Sequence, residues 1–175
     1  HITSMRVLVF PGEIRSGGRG KYDEYKYFFG KVTMYATYDY TARNTLLYFL
    51  NKYFVDAEKL VTPIEPLDHD IHNPAYISLF EGLDYDDAYK VLHKALKSKG
   101  EHIPPLINSY MNLSPTMKVF GTSINKGFGG VEETGILVNI NDMYFEKIER
   151  HITPLRLFLS SIALRFRPHW WKRSL

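Results

Sequence analysis

A change of hydrophobic period within residues 25–54 most constrains the fold. The run YKYFFGKVTMYATY, residues 25–38, is rich in aromatic and β-branched residues and predicts a strand. The next run, YTARNTLLYFLNKYF, predicts a helix that Asp39 or Thr41 can cap. Its apolar residues recur at helical spacing at Leu46, Leu47, Leu50 and Phe54. A strand followed directly by a helix indicates a fold that mixes both.

Shorter elements are predicted on both sides of this unit. MRVLVFP, residues 5–11, predicts a strand stopped by Pro11, and KLVTPIEPL, residues 59–67, predicts a short strand punctuated by two prolines. Residues 68–82 predict mostly loop with one helical turn. Residues 84–99 predict a helix, because acidic residues occupy its first turn, lysines occupy its last, and a glycine follows.

The second half of the chain is also predicted to contain both helical and strand segments. Residues 102–114, HIPPLINSYMNLS, predict either a short helix or an extended segment, since two prolines fix its entry. Residues 117–143 predict two strands joined by the glycine-containing stretch NKGFGG. The order of strands and helices therefore predicts an α+β fold in which neighbouring strands are mostly antiparallel.

Composition and residue usage exclude several classes of protein and of functional site. The 175 residues are 45% hydrophobic, which is enough for one ordinary core, and no apolar run reaches the 18 residues of a membrane span. The absence of cysteine excludes disulfides, thiolate metal sites and a cysteine nucleophile. The N-terminus lacks a secretory pattern, so we expect a cytoplasmic protein. The histidines show no convincing metal-binding spacing, so we expect no metal.

The formal net charge of +3 is unevenly distributed. Basic residues cluster at 15–21 and 156–173, and acidic residues are frequent between 65 and 87. This alternation argues against a nucleic-acid partner. In the first basic cluster, RSGGRGK, the spacing Arg-x-x-Gly-x-Gly allows backbone N–H groups to converge on a phosphate. A solvated basic turn is the other interpretation of this loop.

Several motifs follow one another in a fixed order over residues 13–150. They are the glycine loop, Phe-Gly-x-Val at 29–32, Pro-Pro-Leu at 104–106 with Tyr110 after it, Gly121, and Glu132 or Glu133 before GILVNI. This order resembles the GNAT-like N-acyltransferases of ornithine-lipid and glycine-lipid synthesis, a group that includes N-acyl amino acid synthases and proteins named hemolysins. The resemblance implies a GNAT-like α+β fold with a mostly antiparallel sheet, incomplete on its N-terminal side.

The resemblance also implies an activity and a set of site residues. A long-chain acyl group would pass from acyl carrier protein, or from coenzyme A as the less favoured donor, to the amine of glycine or ornithine, with no permanently bound cofactor. The implied catalytic residues are Glu13, Tyr48 and Glu133, and the implied substrate contacts are Lys31, Thr33, Tyr110 and Gly121. The donor's phosphate would be held by Arg15, Gly17, Gly18, Arg19, Gly20 and Lys21.

One departure from the family pattern supports a rival interpretation. Only YDEYK separates Lys21 from Tyr27, where the family has a longer helix. Five helical residues span about 7–8 Å, which is too short to return alongside a strand. A non-catalytic, degenerate acyltransferase domain that binds acyl carrier protein or a membrane surface is therefore the alternative.

The chain divides into three parts on sequence alone. Residues 1–5, HITSM, resemble a tag remnant and the start of the native chain, and residues 6–150 form the predicted acyltransferase domain. Residues 151–175 form a basic tail with one apolar helical face and two tryptophans. Through residues 155–173 this tail could lie peripherally on the inner membrane, or it could pack onto the domain or a second copy.

Overall fold

The computed structural model describes residues 8–11, 25–67, 70 and 73–151. Within them, four strands form one sheet in the order β1-β2-β4-β3, and every neighbouring pair is antiparallel. The strands are β1 (Leu8–Pro11), β2 (Tyr25–Met34), β3 (Lys118–Asn125) and β4 (Val131–Asn139). The helices are α1 (Tyr40–Tyr53), α2 (Pro74–Leu79), α3 (Tyr85–Ser98), α4 (Pro105–Met111) and α5 (Phe145–His151). The predicted α+β class with mostly antiparallel strands is confirmed.

One face of the sheet is buried against the helices. Alternate residues of β2 and β4 enter this core, and the helices supply the other side of it. The core includes Val32, Met34, Leu46, Leu50, Leu92, Leu96, Ile107, Ile136 and Val138. The residues between them along β2 and β4 point to the opposite face, which therefore carries side chains that the core does not use.

The two long helices begin at acidic caps, and Asp39 is one of the two caps predicted for α1. The Asp39 carboxylate accepts a hydrogen bond from the N–H of Ala42 at 2.8 Å, and the Asp84 carboxylate accepts one from the N–H of Asp87 at 2.9 Å. Each cap satisfies an N–H that has no partner within the first turn of the helix. Helices α1 and α3 then pack against each other through their buried apolar residues.

Some predicted boundaries were wrong. The strand predicted for residues 25–38 ends at Met34, because the chain turns there and Tyr38 N–H donates to the carbonyl of Tyr35. Residues 102–114 adopt the helical alternative as α4. The helical turn predicted within residues 68–82 is α2, which Asn73 caps, and α5 was not predicted. The tail beyond residue 151 lies outside the described residues.

The strand predicted for residues 59–67 is absent, and an irregular segment covers the outer edge of β3 instead. Proline has no N–H to donate, so Pro63 and Pro66 cannot join a regular ladder. Single hydrogen bonds hold the segment: Val119 N–H donates to the carbonyl of Phe54, and Leu67 N–H donates to the carbonyl of Thr122, both at 2.7 Å.

Candidate functional site

Lys31, Thr33 and Glu133 lie together on the sheet face opposite the helices. Thr33 is directly opposite Glu133 in the β2–β4 register, and Lys31 is opposite Gly135. The Lys31 Nζ atom is 2.5 Å from Glu133 Oε2. The lysine side chain is 51% exposed, whereas the glutamate side chain is 16% exposed. The structure thus brings one predicted catalytic residue beside two predicted substrate contacts.

Aromatic side chains border this ion pair on the same face. Phe29 precedes Lys31 by two positions on β2, and its ring centroid is 5.8 Å from that of Phe120 on β3. The Phe120 ring lies over Gly135, where an added Cβ would be only 3.2 Å from the ring. The charged pair therefore adjoins one partly exposed phenylalanine, Phe29, whereas Phe120 is only 3% exposed.

The Lys31–Glu133 pair offers two chemical functions. A carboxylate can accept a proton from an amine within hydrogen-bond distance, and an ammonium group can bind a ligand carboxylate. Ser123 also lies opposite Glu133, in the β3–β4 register, but its hydroxyl donates to the carbonyl of Glu65 at 2.9 Å. The sequence analysis missed Ser123, since only the strand register brings it to this face.

Glu132 forms a different ion pair on the helix-facing side. Arg43 donates to Glu132 Oε1, and its guanidinium lies 4.5 Å from the centre of the Tyr40 ring. Burial raises the pKa of Glu132, and the positive charge of Arg43 opposes that rise. The Oε2 atom of Glu132 has no hydrogen-bond partner among the described residues. Neighbouring strand residues point to opposite faces, so only Glu133 of the two glutamates lies beside Lys31.

Tyr48 is packed among aromatic rings away from this pair. Its ring stacks on Phe80 with centroids 5.9 Å apart, and the Tyr76 ring is 6.4 Å away. These contacts join α1 to α2 and the residue that follows α2. Helix α1 covers the helix-facing side of the sheet, whereas Glu133 points to the other side. The structure therefore does not bring Tyr48 together with Glu133.

Tyr110 and Gly121 also contact structural neighbours. Tyr110 is 4% exposed, burial raises its pKa, and its hydroxyl would be 3.1 Å from a Cβ placed on Gly30. It therefore packs on the helix-facing side of β2. At Gly121 an added Cβ would be 2.8 Å from Cγ of Pro63, so the close approach of the irregular segment requires glycine there. Neither residue lies beside the Lys31–Glu133 pair.

Comparison with known proteins identifies relatives of this chain. It is 50% identical over 127 residues to a glycine N(alpha)-acyltransferase of Phocaeicola vulgatus and, over the same length, to one of Bacteroides thetaiotaomicron. The chain is homologous to these N-acyltransferases. The resemblance to amino-acid N-acyltransferases inferred from the motif order is confirmed.

The aligned region makes up a larger fraction of this chain than of either relative. The matched residues are 73% of this chain, but only 39% and 38% of the two glycine N(alpha)-acyltransferases. The chain thus matches well under half the length of these relatives. No family model matches the sequence, and no solved structure matches it significantly.

The predicted donor-phosphate loop lies outside the described residues. This applies to Glu13 and to the loop residues Arg15, Gly17, Gly18, Arg19, Gly20 and Lys21. In the part of the chain that the structure describes, no group of three or more His, Asp or Glu side chains could hold a metal ion. Within that same part, no helix is both long enough and apolar enough to cross a bilayer.

Proposed function

We propose that this chain contributes to an N-acyltransferase that joins a long-chain acyl group to the amine of a small amino acid. The observation that carries this proposal is the 50% identity to two proteins named glycine N(alpha)-acyltransferase. Glycine is accordingly the first acceptor to test, and ornithine is the second. The proposed donor is acyl carrier protein, with acyl-coenzyme A as the alternative.

The reaction requires a neutral amine next to a thioester carbonyl. The amine nitrogen attacks the carbonyl carbon, the C–N bond forms, the C–S bond breaks, and the thiolate leaves. The amine must also lose a proton, and we assign Glu133 as its acceptor. Glu133 suits this role because its carboxylate is mostly shielded from solvent and is held in place by Lys31.

The charges of the Lys31–Glu133 pair are complementary to those of an amino-acid acceptor. A free amino acid carries a carboxylate and an amine, so its carboxylate would face the Lys31 ammonium and its amine would face Glu133. Thr33 lies opposite Glu133 and offers a hydroxyl to the same ligand. The partly exposed ring of Phe29 supports the proposal, since an acyl chain needs apolar contacts next to the reacting carbonyl.

The donor's phosphate is assigned to Arg15, Gly17, Gly18, Arg19, Gly20 and Lys21, with Glu13 as a further catalytic candidate. Cationic side chains and glycine N–H groups are the donors that bind phosphate oxygens in such loops. We assign a lipid product to the reaction, and a peripheral membrane contact to residues 155–173. If deletion of residues 154–175 leaves binding to anionic liposomes unchanged, that membrane contact is wrong.

The rival function is a non-catalytic domain that binds acyl carrier protein or a membrane surface. The short connection between Lys21 and Tyr27 favours it. Such a domain would retain the sheet and the surface that binds acyl carrier protein, but it would form no amide.

Activity of the purified 175-residue chain separates the two functions. The chain is incubated with acyl carrier protein or coenzyme A thioesters and with glycine or ornithine, and N-acyl products are quantified by mass spectrometry. We expect N-acylglycine from the wild type and none from Glu133→Gln. Glu65→Gln is the control, because Glu65 pairs with Lys126 at 2.9 Å in an ion pair that the proposed reaction does not use. If the chain binds a thioester but forms no amide with either acceptor, the rival function is correct.

A further inference from the structure

A row of basic side chains follows the exposed face of α3. Lys90, His93, Lys94 and Lys97 occupy positions i, i+3, i+4 and i+7, so they lie on one side of the helix. The opposite side carries Ala88, Leu92 and Leu96, which are fully buried. Lys99 continues the row at the end of the helix. We call Lys90, His93, Lys94, Lys97 and Lys99 the basic row.

The positive charge of this row is concentrated in the middle and at the end of α3. Residues 88–100 contain four lysines and no acidic residue, while four acidic residues flank them, Asp84, Asp86, Asp87 and Glu101. Lys90 pairs with Asp87 at 2.7 Å. Among the described residues, Lys94, Lys97 and Lys99 have no acidic partner. Lysines in the last turn of a helix stabilise the helix by interacting with its dipole. That effect does not explain Lys90 and Lys94, which precede the last turn of α3.

The shape of the row favours an acidic helix over a lipid surface. The four side chains from Lys90 to Lys97 span seven residues, or about 10 Å along the axis, which suits carboxylates spaced along a second helix. Helices that lie in a membrane interface also insert large apolar side chains. The exposed large apolar residues of the described chain all lie outside α3.

The C-terminal end of the basic row lies beside the turn that follows β2. After Lys99, the Glu101 carboxylate accepts a hydrogen bond from the N–H of Asp39 at 3.0 Å. The next carbonyl, that of His102, accepts one from the Tyr38 hydroxyl at 2.7 Å. Tyr38 and Asp39 belong to the turn that follows β2, and Thr33 lies near that end of the strand. A partner on the basic row would therefore sit beside the turn at this end of the sheet, and its acyl-bearing arm would pass around that end to reach the opposite face, where Glu133 lies.

From this geometry we infer that the basic row of α3 is the docking surface for an acidic carrier protein that delivers the acyl thioester. This inference rests on the proposed function, because it takes the carrier-bound thioester as the donor. The acidic face of the carrier would lie along α3, and its acyl-bearing arm would extend past residues 99–102 toward Glu133. The row would then raise the association rate and set the orientation of the donor.

Binding of a purified acyl carrier protein to the full chain tests the surface directly. We expect Lys94→Glu with Lys97→Glu to weaken binding about tenfold, and Lys94→Arg with Lys97→Arg to preserve it. The matched control is Lys59→Glu with Lys126→Glu, which changes the net charge equally at exposed positions outside α3. We expect the control to bind as the wild type does, and circular dichroism establishes that each variant is folded. Equal losses in both double variants would overturn the inference, since net charge alone would then explain binding.

Two further measurements separate this inference from the proposed function. Acyl-coenzyme A lacks the carrier protein, so the Lys94→Glu, Lys97→Glu variant should keep its acyl transfer from that donor while losing transfer from the carrier. An equal loss with both donors overturns the docking surface but not the acyltransferase. Carrier binding through the basic row without amide formation supports docking and overturns catalysis. Binding of the row to anionic phosphatidylglycerol vesicles, with no binding to the carrier, overturns docking in favour of a membrane surface.

Discussion

The hydroxyls of Thr122 and Thr134 form a hydrogen bond 2.7 Å long in the interior, directly across the β3–β4 pair. Both side chains are almost fully buried, at 3% and 0% exposure. Replacing only one of them leaves the other hydroxyl without its partner, whereas replacing both removes the need for a partner.

We therefore expect Thr122→Val to lower the free energy of unfolding by about 1–3 kcal/mol. The double variant Thr122→Val, Thr134→Val should recover most of that loss, because valine has nearly the shape of threonine. Urea denaturation of the wild type, both single variants and the double variant measures the coupling. Additive losses in the double variant would show that the hydrogen bond is not the cause.

Gly121 is expected to be essential for stability because of its contact with Pro63. A Cβ at position 121 would be 2.8 Å and 2.9 Å from two ring carbons of that proline. Gly121→Ala should therefore lower the free energy of unfolding by about 1–3 kcal/mol. Adding Pro63→Ala removes the clash and should restore part of the loss in thermal or urea unfolding. No restoration would indicate that Gly121 has a different role, such as the substrate contact that the resemblance implies.

Lys31 is expected to affect the acceptor more than the donor. If its ammonium binds the acceptor carboxylate, Lys31→Met should raise the KM for glycine about tenfold and leave the KM for the thioester almost unchanged. Lys31→Arg keeps the charge and should show a smaller effect. A rise in the thioester KM alone would contradict this assignment, because Lys31 would then contact the donor.

Glu132 should make stability depend on pH. Burial raises its pKa in the folded state above the ordinary value of 4.5, despite the opposing charge of Arg43. The folded protein therefore binds more protons than the unfolded chain just above pH 4.5, and the free energy of unfolding falls as pH rises through this window. We expect Glu132→Gln to remove that decline in urea denaturation from pH 4 to pH 7.

Glu65→Gln provides the control for this pH series. Lys126 lowers the pKa of the Glu65 carboxyl, so any stability from that exposed pair is lost as pH falls, which is the opposite direction. The Glu132 prediction fails if Glu132→Gln has the same pH slope as the wild type.

The sequence was sufficient to predict the helices whose local residue pattern agrees with their environment in the fold. Helix α1 has an apolar face and an Asp39 cap, and α3 has acidic residues at its start and lysines at its end. Their bounds were therefore predicted to within a residue or two. The strand predicted at 59–67 failed because its apolar residues suit a strand while Pro63 and Pro66 prevent one, and periodicity alone does not weigh the missing N–H groups.

The site was harder to predict, because it depends on pairing between distant strands. Lys31 and Glu133 are separated by more than a hundred residues, and only the β2–β4 register brings Glu133 opposite Thr33. The choice between Glu132 and Glu133 likewise depends on which face the strand alternation gives to each. Tyr48 fitted a helical motif, but no pattern within α1 indicates that its ring stacks on Phe80.

The covered edge of β3 determines how this sheet can grow. Edge strands with free N–H and C=O groups recruit further strands, from the same chain or from another molecule. Residues 54–67 obstruct that at β3 by bonding to Val119 and Thr122 and by seating Pro63 against Gly121. Of the two outer strands described, β3 is thus closed to strand addition. An additional strand, domain-swapped copy or aggregating neighbour is not expected to join there.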